Sequence, residues 1–171
     1  MLSALQTALK KSGAEVSWTR PENIHLTIKF LGEVVEERLD VIVHASQSAA
    51  SGSPPIELRL AEIGVFDVRR PRVVWVGLKG DLTLVQRLWS ELDDRLSAVG
   101  FSRESRPFKP HLTIGRFKAP RRARELIAMA DGYALPDVSF KAGEIVVVQS
   151  KLHPAGARYS ILAKAPFKAN L

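Results

Sequence analysis

Apolar residues fall at helical spacing in four stretches of this chain. Leu2, Leu5 and Leu9 share a face that Gly13 can close. Glu33 to Ala50 carries Leu39, Ile42 and Val43 on one side. Leu82, Val85, Trp89, Leu92, Leu96 and Val99 form a long stripe, with Asp81 placed to cap it and Gly100 to stop it. Arg121 to Ala130 is a shorter helical run. Elsewhere the pattern turns to strand. Ile56 to Phe66 sets Ile56, Leu58 and Leu60 against Glu57 and Arg59, as a half-buried strand does, and Val73 to Leu78 is apolar enough for burial on both faces. Glu15 to Thr19, Ile24 to Leu31, His111 to Phe117, Glu144 to Lys151 and Tyr159 to Ala165 are the other expected strands. Turns are expected at 20–23, 51–55, 67–72, 102–110 and Pro154-Ala155-Gly156. Helices and strands joined by connections this short predict an α+β fold, with helices packed on antiparallel sheets. None of the loops is long enough to link independent domains, so 1–171 reads as a single domain.

The pattern also repeats. His-Leu-Thr-Ile occurs at 25–28 and again at 111–114, and Arg-Pro precedes each copy in the same register, at Arg20-Pro21 and Arg106-Pro107. The copies lie 86 residues apart in a chain of 171. Each half has a helix before its motif and a helix after it, with more strand beyond. That predicts two lobes related by an approximate two-fold axis around a central cleft.

Composition narrows the chemistry. There is no cysteine, which removes disulfides, a thiolate nucleophile and cysteine-ligated metals, and fits a cytoplasmic setting. No run of about eighteen apolar residues would span a membrane, and no signal peptide is visible at the start. The net charge of +7 attracts polyanions, nucleic acid foremost, although an excess of Lys and Arg also serves solubility alone.

On a strand, His25 and Thr27 point one way, and Leu26 and Ile28 the other; His111 and Thr113 stand likewise against Leu112 and Ile114. Packing explains the apolar pair but not the repetition of the polar pair. Histidine exchanges protons near neutrality. Two of them flanking a phosphodiester divide the work, one taking a proton from the attacking water and the other giving one to the departing oxygen. The two threonine hydroxyls can hold the non-bridging oxygens. This scheme needs no metal or other cofactor, and the sequence has no metal-ligand cluster.

With these residues in view, the chain resembles the two-histidine (2H) phosphoesterase superfamily. Within it, the chain is similar to the RNA 2′,3′-cyclic phosphodiesterases, also called 2′-5′ RNA ligases. The runs that carry the resemblance are Arg20 to Gly32, Arg70 to Gly77, Pro110 to Arg116 and the late Ser150…Gly156…Tyr159 pattern. The resemblance implies a motif in each lobe, His25 as the proton donor and His111 as the base. It also implies that Thr27 and Thr113 hold the phosphate and that Arg116 contacts the phosphate or the RNA. The expected reaction is hydrolysis of RNA or nucleotide 2′,3′-cyclic phosphate ends to 2′-phosphates without a metal, with reversible 2′-5′ joining in some members. Family members open with a short strand before the first helix. This sequence begins within that helix, so either the strand is absent or the true start lies upstream; its loss would leave a sheet edge unpaired. A monomer would hold both motifs and so a complete site.

Two other readings stand beside this one. One is an RNA-end binding module without turnover. The other is a 2H enzyme for ADP-ribose cyclic phosphate or a 2′-5′ oligonucleotide. His44 and His153 lack repeated context and read as ordinary histidines. Arg69, Arg70 and Arg72 could meet RNA phosphates or simply be solvated. Arg121, Arg122 and Arg124, at a helix start that disfavours them, read as a solvated face before a ligand site. Phe30, Phe66, Trp75 and Trp89 read as core before base-stacking residues.

Overall fold

Four helices and seven strands follow one another in a computed structural model that describes residues 1–151, 153 and 157–168. They are α1 (Leu2–Lys10), β1 (Val16–Trp18), α2 (Leu39–Ser51), β2 (Ile56–Phe66), β3 (Val73–Gly80), α3 (Leu82–Ala98), β4 (His111–Phe117), α4 (Ala123–Asp131), β5 (Ser139–Ala142), β6 (Glu144–Lys151) and β7 (Arg158–Pro166). The fold is α+β. Five strands form one sheet in the order β1-β4-β3-β2-β5, and β6 pairs with β7. The β1–β4, β3–β4 and β6–β7 pairs are antiparallel. The expected turn at Pro154-Ala155-Gly156, and Gly156 of the late pattern, lie outside the described residues.

Most expected elements form where the pattern places them, and the departures have physical causes. Ile24 to Leu31 is not a strand. A 3-10 turn at Pro21–Asn23 carries the chain off the sheet, and only Leu26 returns, as an isolated bridge to Leu112. The helix expected from Glu33 starts at Leu39, after a 3-10 turn at Glu36–Arg38. Val34 and Val35 ahead of it are exposed, so no burial repays helical order there. Along α3, Leu82 and Val99 are exposed while Leu88 is buried. Asp81 precedes the helix, but its carboxylate accepts from the Glu57 N–H at 3.0 Å instead of capping. Gly100, at φ +89, does stop it. Strand β5 went unforeseen because four residues carry too little alternation; next to it, the Leu60 N–H donates to the Val138 carbonyl at 3.3 Å.

The chain packs as two compact units, each assembled from three segments. The first comprises 1–27, 59–79 and 110–139. Its core joins Leu5 and Leu9 of α1 and Leu126 and Ala130 of α4 to Val74, Val76, Leu112 and Ile114 of the sheet. The second comprises 28–58, 80–109 and 140–171. In it α2 packs on α3, β6 and β7, around Ile42, Ala45, Ala49, Val85, Leu88, Leu92, Leu96, Ile145 and Ala165. A buried ion pair, Lys29 with Asp93, ties the segment after the first motif to α3. Lys29 also donates to the Ser102 carbonyl at 2.6 Å, and Asp93 accepts from the Glu104 N–H at 3.2 Å. Burial pushes the Asp93 carboxyl up. The Lys29 hydrogen bond, the Glu104 N–H and the charges of Lys29 and Arg103 outweigh it and hold the group below the usual carboxylate range.

Candidate active site

His25 to Thr27 of the first motif lie in the first unit with the whole of the second motif, beside β4 at the Leu26–Leu112 bridge, and Ile28 opens the second unit. The cause is the path of the chain after β1. Trp18 pairs with Gly115 and the next pairing is Leu26 with Leu112, eight residues along one chain against three along the other. The surplus is the excursion through Arg20 to Asn23. It returns the chain to β4 with the first motif antiparallel to the second.

Antiparallel partners share a face and alternate along each chain. The Leu26–Leu112 bridge therefore turns both leucines toward the core, where Leu112 is buried. Extended by one residue on either side, that register would set His25 across from Thr113 and Thr27 across from His111 on the opposite face, and His25 and Thr27 are exposed. The two histidines start from diagonal positions, roughly 7–8 Å apart on a regular ladder. At that spacing two imidazoles can flank one phosphate group.

Arg116 joins this face through a bulge. Strict alternation along β4 would set it on the core side with Leu112 and Ile114. The β3–β4 register slips at that point: Trp75 pairs with Thr113, Val74 with Gly115 and Val73 with Arg116, leaving Ile114 as the extra residue. Val73 and Trp75 share a face, so Arg116 returns to that of Thr113 and His111. A bulge re-aims a side chain in this way. Exposure agrees: Val74, Ile114 and Gly115 are buried while Arg116 is exposed.

The two histidines have different surroundings. His25 is exposed and its Nδ1 donates to the Asn23 carbonyl at 2.7 Å. That bond orients the ring and places the Nδ1 proton on the side of the turn. Asn23 ends the 3-10 turn, so the turn that precedes the motif also orients its imidazole. His111 is half-buried. Its ring meets the Phe66 ring nearly perpendicular, at 86° with centroids 4.9 Å apart, and Phe66 stacks on Trp75 at 5.2 Å. Phe66 thus holds a site histidine, a role the strand pattern could not show. Gly77 pairs with His111. The Glu62 carboxylate lies over that glycine, and a Cβ there would come within 2.6 Å of Oε1. Nothing in the alternation of β2 singles out Glu62.

The other candidates are dispersed. Arg69, Arg70 and Arg72 are exposed in the β2–β3 loop. Arg121 reaches Glu15 at 3.7 Å. Trp89 stacks on Phe108 in the second unit, with centroids 5.4 Å apart. Phe30 is exposed rather than core, and His44 and His153 are exposed. Among the described residues, no three His, Cys, Asp or Glu side chains are grouped as metal ligands, and no helix is long and apolar enough to cross a membrane.

Several known proteins are similar to this chain. A family model described as the 2′-5′ RNA ligase superfamily matches residues 19–154. The RNA 2′,3′-cyclic phosphodiesterase of Methanothermobacter thermautotrophicus is 35% identical over 161 residues, covering 93% of this chain and 86% of that protein. The protein of the same name from Thermotoga maritima is 34% identical over 165 residues, covering 95% and 86%. Among solved structures, TT0787 of Thermus thermophilus superposes with a TM-score of 0.72 at 25% identity, covering 100% of this chain and 95% of that one. E. coli LigT complexed with 3′-AMP shares the fold, with a TM-score of 0.69 at 24% identity, covering 90% and 82%.

Proposed function

The chain belongs to the 2′-5′ RNA ligase superfamily, and from that membership we propose that it hydrolyses 2′,3′-cyclic phosphates at RNA or nucleotide ends to 2′-phosphates, without a metal. The observation that carries the reading is the antiparallel pairing of two identical His-Leu-Thr-Ile segments at Leu26–Leu112. It supports a site where each histidine stands beside the other copy's threonine on one face. The names of the relatives supply the substrate class.

In the proposed reaction, His111 takes a proton from water as its oxygen attacks phosphorus. The P–O3′ bond breaks on the opposite side, and His25 delivers the Nε2 proton to the leaving O3′. The product is a 2′-phosphate beside a free 3′-hydroxyl, and the histidines have exchanged protonation states. Thr27 and Thr113 donate to the non-bridging oxygens while Arg116 offsets their growing charge. The assignment of His25 as acid follows the family resemblance, and its Nδ1–H bond to Asn23 supports a fixed orientation of the ring. An RNA 5′-hydroxyl in place of water would give a 2′-5′ linkage by the same steps, and the reverse would break one. A monomer suffices, since one chain supplies every group, and the proposed setting is the cytoplasm.

The test is to incubate the protein in EDTA with a nucleoside 2′,3′-cyclic phosphate and with a short RNA ending in one. A 2′-phosphate made by wild type and lost in both His25→Ala and His111→Ala is the expected result. Activity abolished by EDTA would sink the metal-free mechanism. Binding without turnover would favour the RNA-end binding module. Turnover of ADP-ribose cyclic phosphate or a 2′-5′ oligonucleotide instead would move the substrate assignment.

A further inference from the structure

Gln6 lies in α1 and is 3% exposed, in a helix otherwise buried through leucines. A buried amide needs partners, and its choice of partners is informative. Its Nε2 donates to the Thr19 carbonyl at 2.6 Å and to the Ile114 carbonyl at 2.9 Å. Thr19 is the last residue held on the β4 ladder before the excursion toward His25; its N–H donates to the Ile114 carbonyl at 3.0 Å. Ile114 is the bulge residue that returns Arg116 to the face of Thr113 and His111. One side chain therefore fastens the two backbone points from which the motifs diverge.

We propose that Gln6 is a positioning residue for the reaction. Its amide fixes where the first motif leaves β4 and where the bulge sits, and so holds His25, Thr27 and Arg116 in register with His111 and Thr113. It touches no substrate and acts through Thr19 and Ile114. Both hydrogens of the amide are needed. A side chain of similar length without donors would fill the space and release the register, and displacements of about 1 Å at a reacting centre can lower rates about 10²-fold.

The inference rests on the cyclic phosphodiesterase reading, and the experiment separates the two. kcat and KM are measured with a nucleoside 2′,3′-cyclic phosphate for wild type, Gln6→Met, Arg116→Ala, the double variant, and Leu126→Ala, a core truncation in α4 of the same unit. Gln6→Met is expected to lose roughly 10²-fold in kcat. Leu126→Ala should melt earlier and keep its kcat. The double variant should lose less than the product of the single losses, because Gln6 acts partly through Arg116. A Gln6→Met enzyme with the kcat of Leu126→Ala, or losses that multiply, would overturn the proposal. If wild type turns nothing over, the cyclic phosphodiesterase reading fails by itself. Affinity for adenosine 2′-phosphate then decides, supporting the role of Gln6 if weakened in Gln6→Met alone and overturning it otherwise. Should Gln6→Met not fold, wild-type side-chain amide exchange replaces it. Slow Gln6 exchange with a shift on adding adenosine 2′-phosphate supports the role; fast exchange without one refutes it.

Discussion

At the scale of single residues, the two histidines carry unequal burdens of position. His25 is steered by one backbone carbonyl and His111 by an aromatic ring. In the proposed mechanism, replacing either by alanine removes a general acid or base and is expected to lower kcat by about 10²–10⁴. The kcat/KM profile of wild type should be bell-shaped, and each alanine variant should lose one limb, as measured by steady-state kinetics at a series of pH values. Phe66→Leu keeps the strand but removes the ring that holds His111. It should lower kcat while leaving the melting temperature nearly unchanged, a split read from steady-state kinetics beside thermal unfolding. Asp93 bears on stability instead. Its carboxyl is held low, so its contribution is complete above the ordinary carboxylate range near pH 4 and is lost as pH falls through the depressed value. Asp93→Asn leaves Lys29 buried without its counter-charge, and should cost about 3–5 kcal/mol in denaturant unfolding at pH 7. Its acid-side loss of stability should be shallower than that of wild type.

At the scale of elements, the β-bulge and the interrupted edge strand do more for the site than any helix. Alternation alone would put Arg116 in the core and leave the first motif running straight along β1. The extra residue at Ile114 and the 3-10 turn reverse both outcomes. Gly115 makes this possible, because a Cβ there would stand 2.6 Å from Val16 Cγ1 and 3.2 Å from Trp18 Cε3. Gly115→Ala must push β1 away from β4. The expected cost is about 1–3 kcal/mol, measured by denaturant unfolding, together with a fall in kcat because Thr19 moves with β1.

At the scale of the whole molecule, the charge of +7 acts at a distance that the motifs do not. A nucleotide presents one phosphate, whereas an RNA brings a chain of them to a protein of net charge +7. Raising salt from 50 to 200 mM, about the span over which phosphate contacts are screened, should raise KM for an RNA substrate several-fold more than for a nucleoside cyclic phosphate. Equal salt dependence for both would show that the basic excess serves solubility and not binding.

The sequence by itself determined the α+β class and nearly all the strands and helices, and it nominated the five candidates His25, Thr27, His111, Thr113 and Arg116. These follow from local periodicity and from repetition, both of which are written along the chain. Tertiary structure alone decided that the two motifs meet antiparallel at Leu26 and Leu112, that Arg116 shares the face of Thr113 and His111, and that Phe66, Glu62 and Gln6 surround or support them. Each of those depends on which backbone groups meet across a ladder. A bulge or a lost register shifts every face beyond it by one residue, and no pattern within a single strand records where its neighbour slips.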